Sequence, residues 1–550
     1  MVLPAPSGKH RTRPYSCSDL RQKSMRSALL TLSRFRGRPQ TAFVILLGSV
    51  LAYQSAQYVI RADYTGLIYA AIVCVGAALV LGILKSWRNG VYFFFAWLLF
   101  EDFARKFLGN NMVIYFVKDF LLLVVLISFL AAWRRKEVNT LRPPFLVPLL
   151  IFIWFGMMQI LNPASTSIWY GLMGFKLFFY YVPLLLVGYA LLNSEEELRR
   201  FFSINVILAL VIIGLGIAQS IIGPKFLNPA VPADEIRELS TLYRVAPISG
   251  AFAYRPTSVF VSTSRYANFI MVSSLMVLGF SGYLLLRRKR GQLLAFIGII
   301  VAATGAFLST SRGTFMWGLA NTLATSVAFV WGAPWRQGQA ARVFRGVQRA
   351  ALGIGLGIVL LFATYPEALL SRLAIYQETL SPNSSKNELA HRGWTYPVKN
   401  FVGAFDYERW LYGYGIGTTA LGGQYVARFF KVKPPVSGVE SGYGTLIVEM
   451  GIGGLILWLV MSVAILVSAW RVVKKLRGSP WFPLAFVIFW YAFFLLFPAT
   501  FGGIQSYEDF LLNAYFWLFL GLLFRLPTLK LSSQFAAVAP AEHSRPAWNR

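Results

Sequence analysis

The amino-acid sequence predicts an all-α protein, a polytopic transmembrane helical bundle of about 12–14 spans. Three observations predict it. Apolar residues form 57% of the 550-residue chain and charged residues 13%, against roughly 45–50% and about 25% in an ordinary soluble domain. Runs of about 20 apolar residues, long enough to cross a bilayer as a helix, recur along the whole chain. Lys and Arg, 52 against 22 Asp and Glu, collect in short clusters at alternate connections, which is how membrane proteins fix their orientation. That clustering accounts for the net charge of +30 without a nucleic-acid partner.

Residues 1–40 hold nine basic residues and one acid, Asp19, and read as a cytoplasmic tail lying near anionic headgroups. The first span is expected at 41–60. It is longer than a signal-peptide core and no small-residue cleavage site follows, so it reads as uncleaved. Further spans are expected at 66–84, 91–108, 112–133, 145–161, 168–192 and 201–222, completing an N-terminal membrane region over 41–222. The region 223–526 adds spans at 266–286, 291–309, 313–332, 350–365, 442–470, 481–498 and 508–526. A cytoplasmic tail is expected over 527–550. Glu101 and Asp102 in one candidate and Lys176 in another are costly inside lipid, so both segments suit an interfacial or broken helix.

The basic clusters orient these spans. Lys85/Arg88, Arg134-Arg135-Lys136, Arg199-Arg200, Arg287 to Arg290, Arg336 to Arg349, Arg471 to Arg477 and Arg525/Lys530 all fall on one side, so both termini are expected in the cytoplasm. Two connections on the other side, 223–265 and 366–441, are too long to be simple links, and long loops carry function. In a bacterial plasma membrane, 366–441 would be a large periplasmic loop.

Soluble-enzyme motifs are missing from the sequence: there is no P-loop, no dinucleotide fingerprint and no G-x-S-x-G elbow. A reaction here must therefore draw on an already activated substrate. Three histidines and two cysteines, Cys17 and Cys74, form no cluster at metal-ligand spacing. Neither a metal nor a cofactor is expected.

The candidate chemistry lies on the outer side. Arg255 and Arg265 bracket R-P-T-S-V-F-V-S-T-S-R, Arg312 lies in S-T-S-R-G and Arg392 in H-R-G-W. Each sits where the charge bias disfavours cations, and an arginine fork binds phosphate with two parallel hydrogen bonds. Snorkelling or pairing with a nearby acid is the plainer reading of each. Trp394, Tyr396, Tyr407, Trp410, Tyr412 and Tyr414 surround G-Y-G-I-G; aromatic faces of this kind suit sugar rings or, more plainly, a headgroup-level aromatic belt. Glu440 stands at the mouth of the 442–470 span, as a general base or a helix cap. Glu449 lies inside that span, as a substrate ligand or a buried structural acid. His391 is the second candidate base.

The order of these segments, through E-S-G-Y-G-T-L-I-V-E-M-G-I-G-G, resembles the O-antigen ligase / Wzy-type polysaccharide polymerase superfamily over roughly 250–470. The resemblance implies a GT-C-like, metal-independent, inverting glycosyltransferase. It implies an undecaprenyl-diphosphate-linked glycan donor, a glycan acceptor, and partners for chain-length control and export. Arg312 matches a family arginine that grips the diphosphate, and Arg392 matches the arginine ahead of the loop tryptophan. Arg255 and Arg265 remain alternatives for the second clamp. Many ligases carry a histidine ahead of the E-x-G helix; Glu440 stands there instead, which favours an exopolysaccharide or capsule polymerase. The competing expectation is a lipid-linked oligosaccharide flippase, which would show two similar halves and charges lining a mid-depth cavity.

Overall fold

The computed structural model describes Tyr53 and residues 64–530, leaving aside 109–111, 229–241, 288–290, 334–347, scattered positions within 350–390, and 421–422. Tyr53 apart, the expected 41–60 span and both outer ends of the tails lie outside the described residues, and the 350–365 span is described only in part. The chain divides into two compact units, Met1–Gly82 and Ile83–Arg550. The described part of the first is essentially a helix beginning at Tyr64. Beyond that helix, all that follows concerns the second.

The described residues are 76% helix and 1% strand. In order come α1 (Tyr64–Lys85), α2 (Trp87–Phe107), α3 (Met112–Arg134), α4 (Leu146–Ile160), α5 (Ile168–Phe179), α6 (Leu184–Leu191) and α7 (Glu195–Ile222). A two-stranded hairpin, β1 (Tyr243–Val245) and β2 (Phe252–Tyr254), precedes α8 (Thr263–Arg287), α9 (Gln292–Leu308) and α10 (Arg312–Gly332). Then follow α11 (Pro366–Leu380), α12 (Tyr396–Gly403), α13 (Gly423–Phe430), α14 (Gly442–Lys475), α15 (Phe482–Phe494) and α16 (Phe510–Arg525).

Seven helices among the described residues are long and apolar enough to cross a membrane, or eight if a pair bent by 117° across residues 355–380 is one span. The protein is thus a helical multi-pass membrane protein, with fewer qualifying spans than the 12–14 expected. Part of the shortfall is that the expected 41–60 span, Tyr53 apart, lies outside the described residues and those at 66–84 and 350–365 are described only in part; the rest has physical causes. The α4 and α9 helices have only 15 and 17 residues. The α2 helix carries Glu101, Asp102, Arg105 and Lys106. The α10 helix is diluted by Thr314, Asn321, Thr322, Thr325 and Ser326. The long 366–441 connection is not a plain loop either, since it folds into α11, α12 and α13.

The core is densest around α16, whose apolar window is 83% buried. There the α6 and α16 backbones meet through glycines: a methyl added at Gly188 or Gly521 would lie 2.3 Å from the Leu518 carbonyl oxygen or 2.2 Å from that of Leu185. Small residues let membrane helices approach this closely.

The acids of α2 and α3 are tolerated inside because partners answer them. Lys118 meets Glu101 at 3.2 Å, Arg105 meets Asp102 at 3.2 Å, and Lys176 meets Asp119 at 2.5 Å. The helix ends also sort as the charge alternation requires. Arg88 reaches Glu197, Arg287 grips Glu195 at 2.8 Å, and Arg525 donates to the Leu192 carbonyl oxygen. The start of α2, the start of α7 and the ends of α6, α8 and α16 therefore meet at one end of the bundle.

Candidate anion site

The site is built on the turn between α9 and α10. Ser309, Thr310 and Ser311 form it, with Thr310 in the left-handed region at φ 54°. The Ser311 hydroxyl caps α10 by accepting the Thr314 N–H. Arg312 is consequently the first residue of the helix, at the positive end of its dipole, where a cation is disfavoured.

The hairpin brings two more arginines to this turn. Tyr243 pairs with Tyr254 and Arg244 with Ala253 across the strands, and Arg255 follows directly, its N–H donating to the Leu242 carbonyl oxygen at 2.6 Å. The Glu378 carboxylate pins the hairpin turn by accepting the Ile248 and Ser249 N–H groups. Arg244 donates to the Thr310 carbonyl oxygen at 3.3 Å. From α11, buried Arg372 donates to the carbonyl oxygens of Leu308, at the end of α9, and Tyr254. The Tyr376 hydroxyl donates to the Phe307 carbonyl oxygen.

Arg244, Arg255, Arg312 and Arg372 thus gather around one turn, and the first three crowd one another electrostatically. Burial first, and then the Arg312 and Arg255 charges, pull the Arg244 guanidinium down to about 10. Burial and then Arg312 likewise lower Arg255. At about 10, Arg244 stays charged at neutral pH. Glu388 answers Arg312 at 2.5 Å and Arg392 at 3.8 Å. Glu388 thus serves two arginines at once, and several guanidinium forks gathered around one turn suit a multivalent anion.

Arg255 and Arg265, the two alternatives for the second arginine, have different surroundings. Arg255 stands with Arg312. Arg265 turns the other way, with Nη1 donating to both Asp102 oxygens at 2.7 and 2.6 Å and Nε 3.7 Å from Asp509. Its charge is matched internally, which is the plainer of the readings open from the sequence.

Arg392 and His391 lie exposed in a π-turn, His391–Thr395, with Arg392 over the Tyr396 ring. Trp394 is 69% exposed and touches Phe501 at its edge, which in turn meets Tyr443 of α14. From α12, Asn400 accepts the Glu440 N–H at 3.3 Å. The Glu440 side chain is exposed at the mouth of α14, and Ser441 rather than Glu440 caps that helix. Tyr414 is half-buried against Tyr407.

Glu449, expected as a substrate ligand or a buried structural acid, is fully buried. The Gly417 N–H donates to Oε2 at 2.9 Å, while the Thr419 N–H and hydroxyl donate to Oε1 at 2.9 and 2.8 Å. The glycine loop is laid on a kink in α14 at Gly451, φ 73°. There the Val448 and Glu449 carbonyl oxygens accept the Tyr414 and Gly415 N–H groups, and Ile452 donates back to Trp410. Only glycine fits at 413 and 451, where a Cβ would lie 2.4 Å from the Glu449 oxygen and 2.2 Å from the Leu411 oxygen. Glu449 therefore holds the loop in place.

An apolar groove of about 950 Å³ starts beside this region. It runs from Tyr443 and Phe501, past Trp317 and Trp490, to Trp331 and Trp470. Trp317 to Trp331 spans about 21 Å along α10 at 1.5 Å per residue. Its upper end lies about 7 Å along the same helix from Arg312.

Arg244, Arg372 and Glu388 were not singled out from the sequence. Arg244 had a signal: Tyr-Arg occurs at 243–244 and again at 254–255, and the two tyrosines face each other across the hairpin. Fold and site together define a helical membrane protein with a cluster of arginines around one inter-helix turn. No family model matches the chain, and no curated protein matches it.

Proposed function

We propose that this protein is a membrane glycosyltransferase that polymerises or transfers undecaprenyl-diphosphate-linked glycan units at the periplasmic face of the bacterial inner membrane. The observation that carries the reading is the gathering of Arg244, Arg255 and Arg312 at the positive end of α10. A diphosphate is the anion such a cluster fits, and the adjoining apolar groove suits the lipid to which it is attached. Both termini then lie in the cytoplasm, and the acceptor glycan, a chain-length regulator and export proteins are its partners.

In the reaction, an acceptor hydroxyl gives its proton to the Glu440 carboxylate as its oxygen attacks the anomeric carbon. The bond from that carbon to the diphosphate oxygen breaks, and its electron pair leaves with the lipid diphosphate. Arg312 and Arg255 bind the growing negative charge, with Arg244 beside them. A single displacement on an oxocarbenium-like centre inverts configuration. Exposed Trp394 and half-buried Tyr414 offer faces to sugar rings, Arg392 flanks the entrance, and His391 is the alternative base.

The test uses the purified full-length protein with a synthetic undecaprenyl-diphosphate-linked glycan. Wild type should extend or transfer it, and Arg312→Ala should lose on the order of 100–1,000-fold in rate. Arg312→Lys should recover little, because a point charge does not replace a fork. Wild-type product from a folded Arg312→Ala variant would refute the diphosphate role. In cells lacking the gene, accumulation of single lipid-linked units indicates a polymerase, of unligated long chains a ligase, and of inward-facing units the flippase.

A further inference from the structure

At the opposite end of α14 lies a second cavity, of about 610 Å³, whose walls include Leu466, Val467, Trp470 and Phe489 and whose lip carries Arg471 and Lys474. Lys475 and Arg477 continue the basic run past the lip. Arg477 is already engaged: it donates to the Trp331 carbonyl oxygen at 3.2 Å and lies 4.6 Å over the Trp331 ring. That ring stacks on Trp470 at 5.5 Å and 7°, which makes one wall rigid. Arg471, Lys474 and Lys475 are exposed, and among the described residues none of them is in an ion pair.

We infer that this cavity is a binding site for one anionic phospholipid, with an acyl chain against Leu466, Val467 and Phe489 and the phosphate on Arg471 and Lys474. The helix dipole alone favours cations in the last turn of α14. It does not account for an apolar cavity opening directly beneath them. Leu466 lies about 7 Å along the helix from Arg471, which places the apolar wall one and a half turns deeper than the charges. That is the order in which a phospholipid presents phosphate and tail. A zwitterionic lipid would fill the wall equally well but would leave the basic lip uncompensated. Basic pockets between membrane helices recognise anionic headgroups in this way. The proposal does not rest on the glycan reading.

The experiment is native mass spectrometry of the full chain from micelles holding equal phosphatidylglycerol and phosphatidylcholine, with lipid titrated to give relative affinities. Wild type should retain one phosphatidylglycerol in clear preference to phosphatidylcholine. Each surface charge near a headgroup contributes about a 5-fold preference, so Arg471→Gln with Lys474→Gln should lower it by about 25-fold. Val467→Phe keeps every charge but fills the cavity mouth, and the residue is 45% exposed, so folding should tolerate it. It should abolish the tight lipid as well. Equal retention of both lipids by wild type, or full retention by either variant, overturns the site. Loss in the charge variant alone would mean diffuse attraction to an anionic surface, and would overturn it too.

Discussion

Glu449→Gln tests the loop anchor most directly. Three donors converge on the carboxylate: the Gly417 N–H on one oxygen, and the Thr419 N–H and hydroxyl on the other. Glutamine keeps one oxygen, enough for the Thr419 pair. Its NH2 then faces the Gly417 N–H, donor against donor, in a fully buried place. A charge-assisted bond is lost and a buried N–H is stranded, so the cost should be about 2–4 kcal/mol. Thr419→Val removes only one of the three bonds and should cost about 1 kcal/mol. The assay is thermal melting of the purified protein in detergent, paired with limited proteolysis across residues 404–441. The Gln variant should melt several degrees lower than Thr419→Val and be cleaved in that segment at protease doses that spare wild type. Wild-type melting and wild-type protection in Glu449→Gln would refute the anchoring role.

Asp102→Asn should destabilise by about 3–5 kcal/mol, because it removes the buried carboxylate that Arg265 and Arg105 share; a melting temperature unchanged by the substitution would show that Asp102 does not answer them. Glu440→Gln should lower turnover by roughly 100–10,000-fold while donor binding, measured separately, stays intact; normal turnover would pass the role of base to His391. Arg244 has a folded-state value, about 10, below its ordinary one, so its charged form is disfavoured by the fold at every pH below that and stability should rise as pH climbs through it. Arg244→Gln should accordingly raise the melting temperature without donor and weaken donor binding; stabilisation with unchanged donor affinity would mean the crowding serves no ligand.

The helical membrane character was legible because lipid imposes a length and a polarity that single residues cannot hide. The span count was less so, since an apolar run does not announce that α4 and α9 stop short or that α10 carries hydroxyls on a membrane-length helix. Arg312 was legible as a cation in a disfavoured place. Which of Arg255 and Arg265 joins it was not, because the answer depends on Asp102, 163 residues away from Arg265 in sequence. Arg372 was hidden for a similar reason: it works on carbonyls of Leu308 and Tyr254, which any residue could supply. Glu449 and Glu440 look alike in sequence. The kink at Gly451 separates them, handing Glu449 to the glycine loop and leaving Glu440 at the mouth.

That kink also sets an order of assembly during biosynthesis. The loop at 413–419 leaves the ribosome before the residues that receive it, the Val448 and Glu449 carbonyls and the Glu449 carboxylate. Gln159 and Asn162, made much earlier, already wait with side-chain donors for the Tyr412 and Gly413 carbonyls. One half of the cradle therefore exists when the loop emerges and the other half does not. The loop can close only after residues 448–452 of α14 have been made, so a chain halted before residue 442 would carry every arginine of the cluster and still present an unfinished surface.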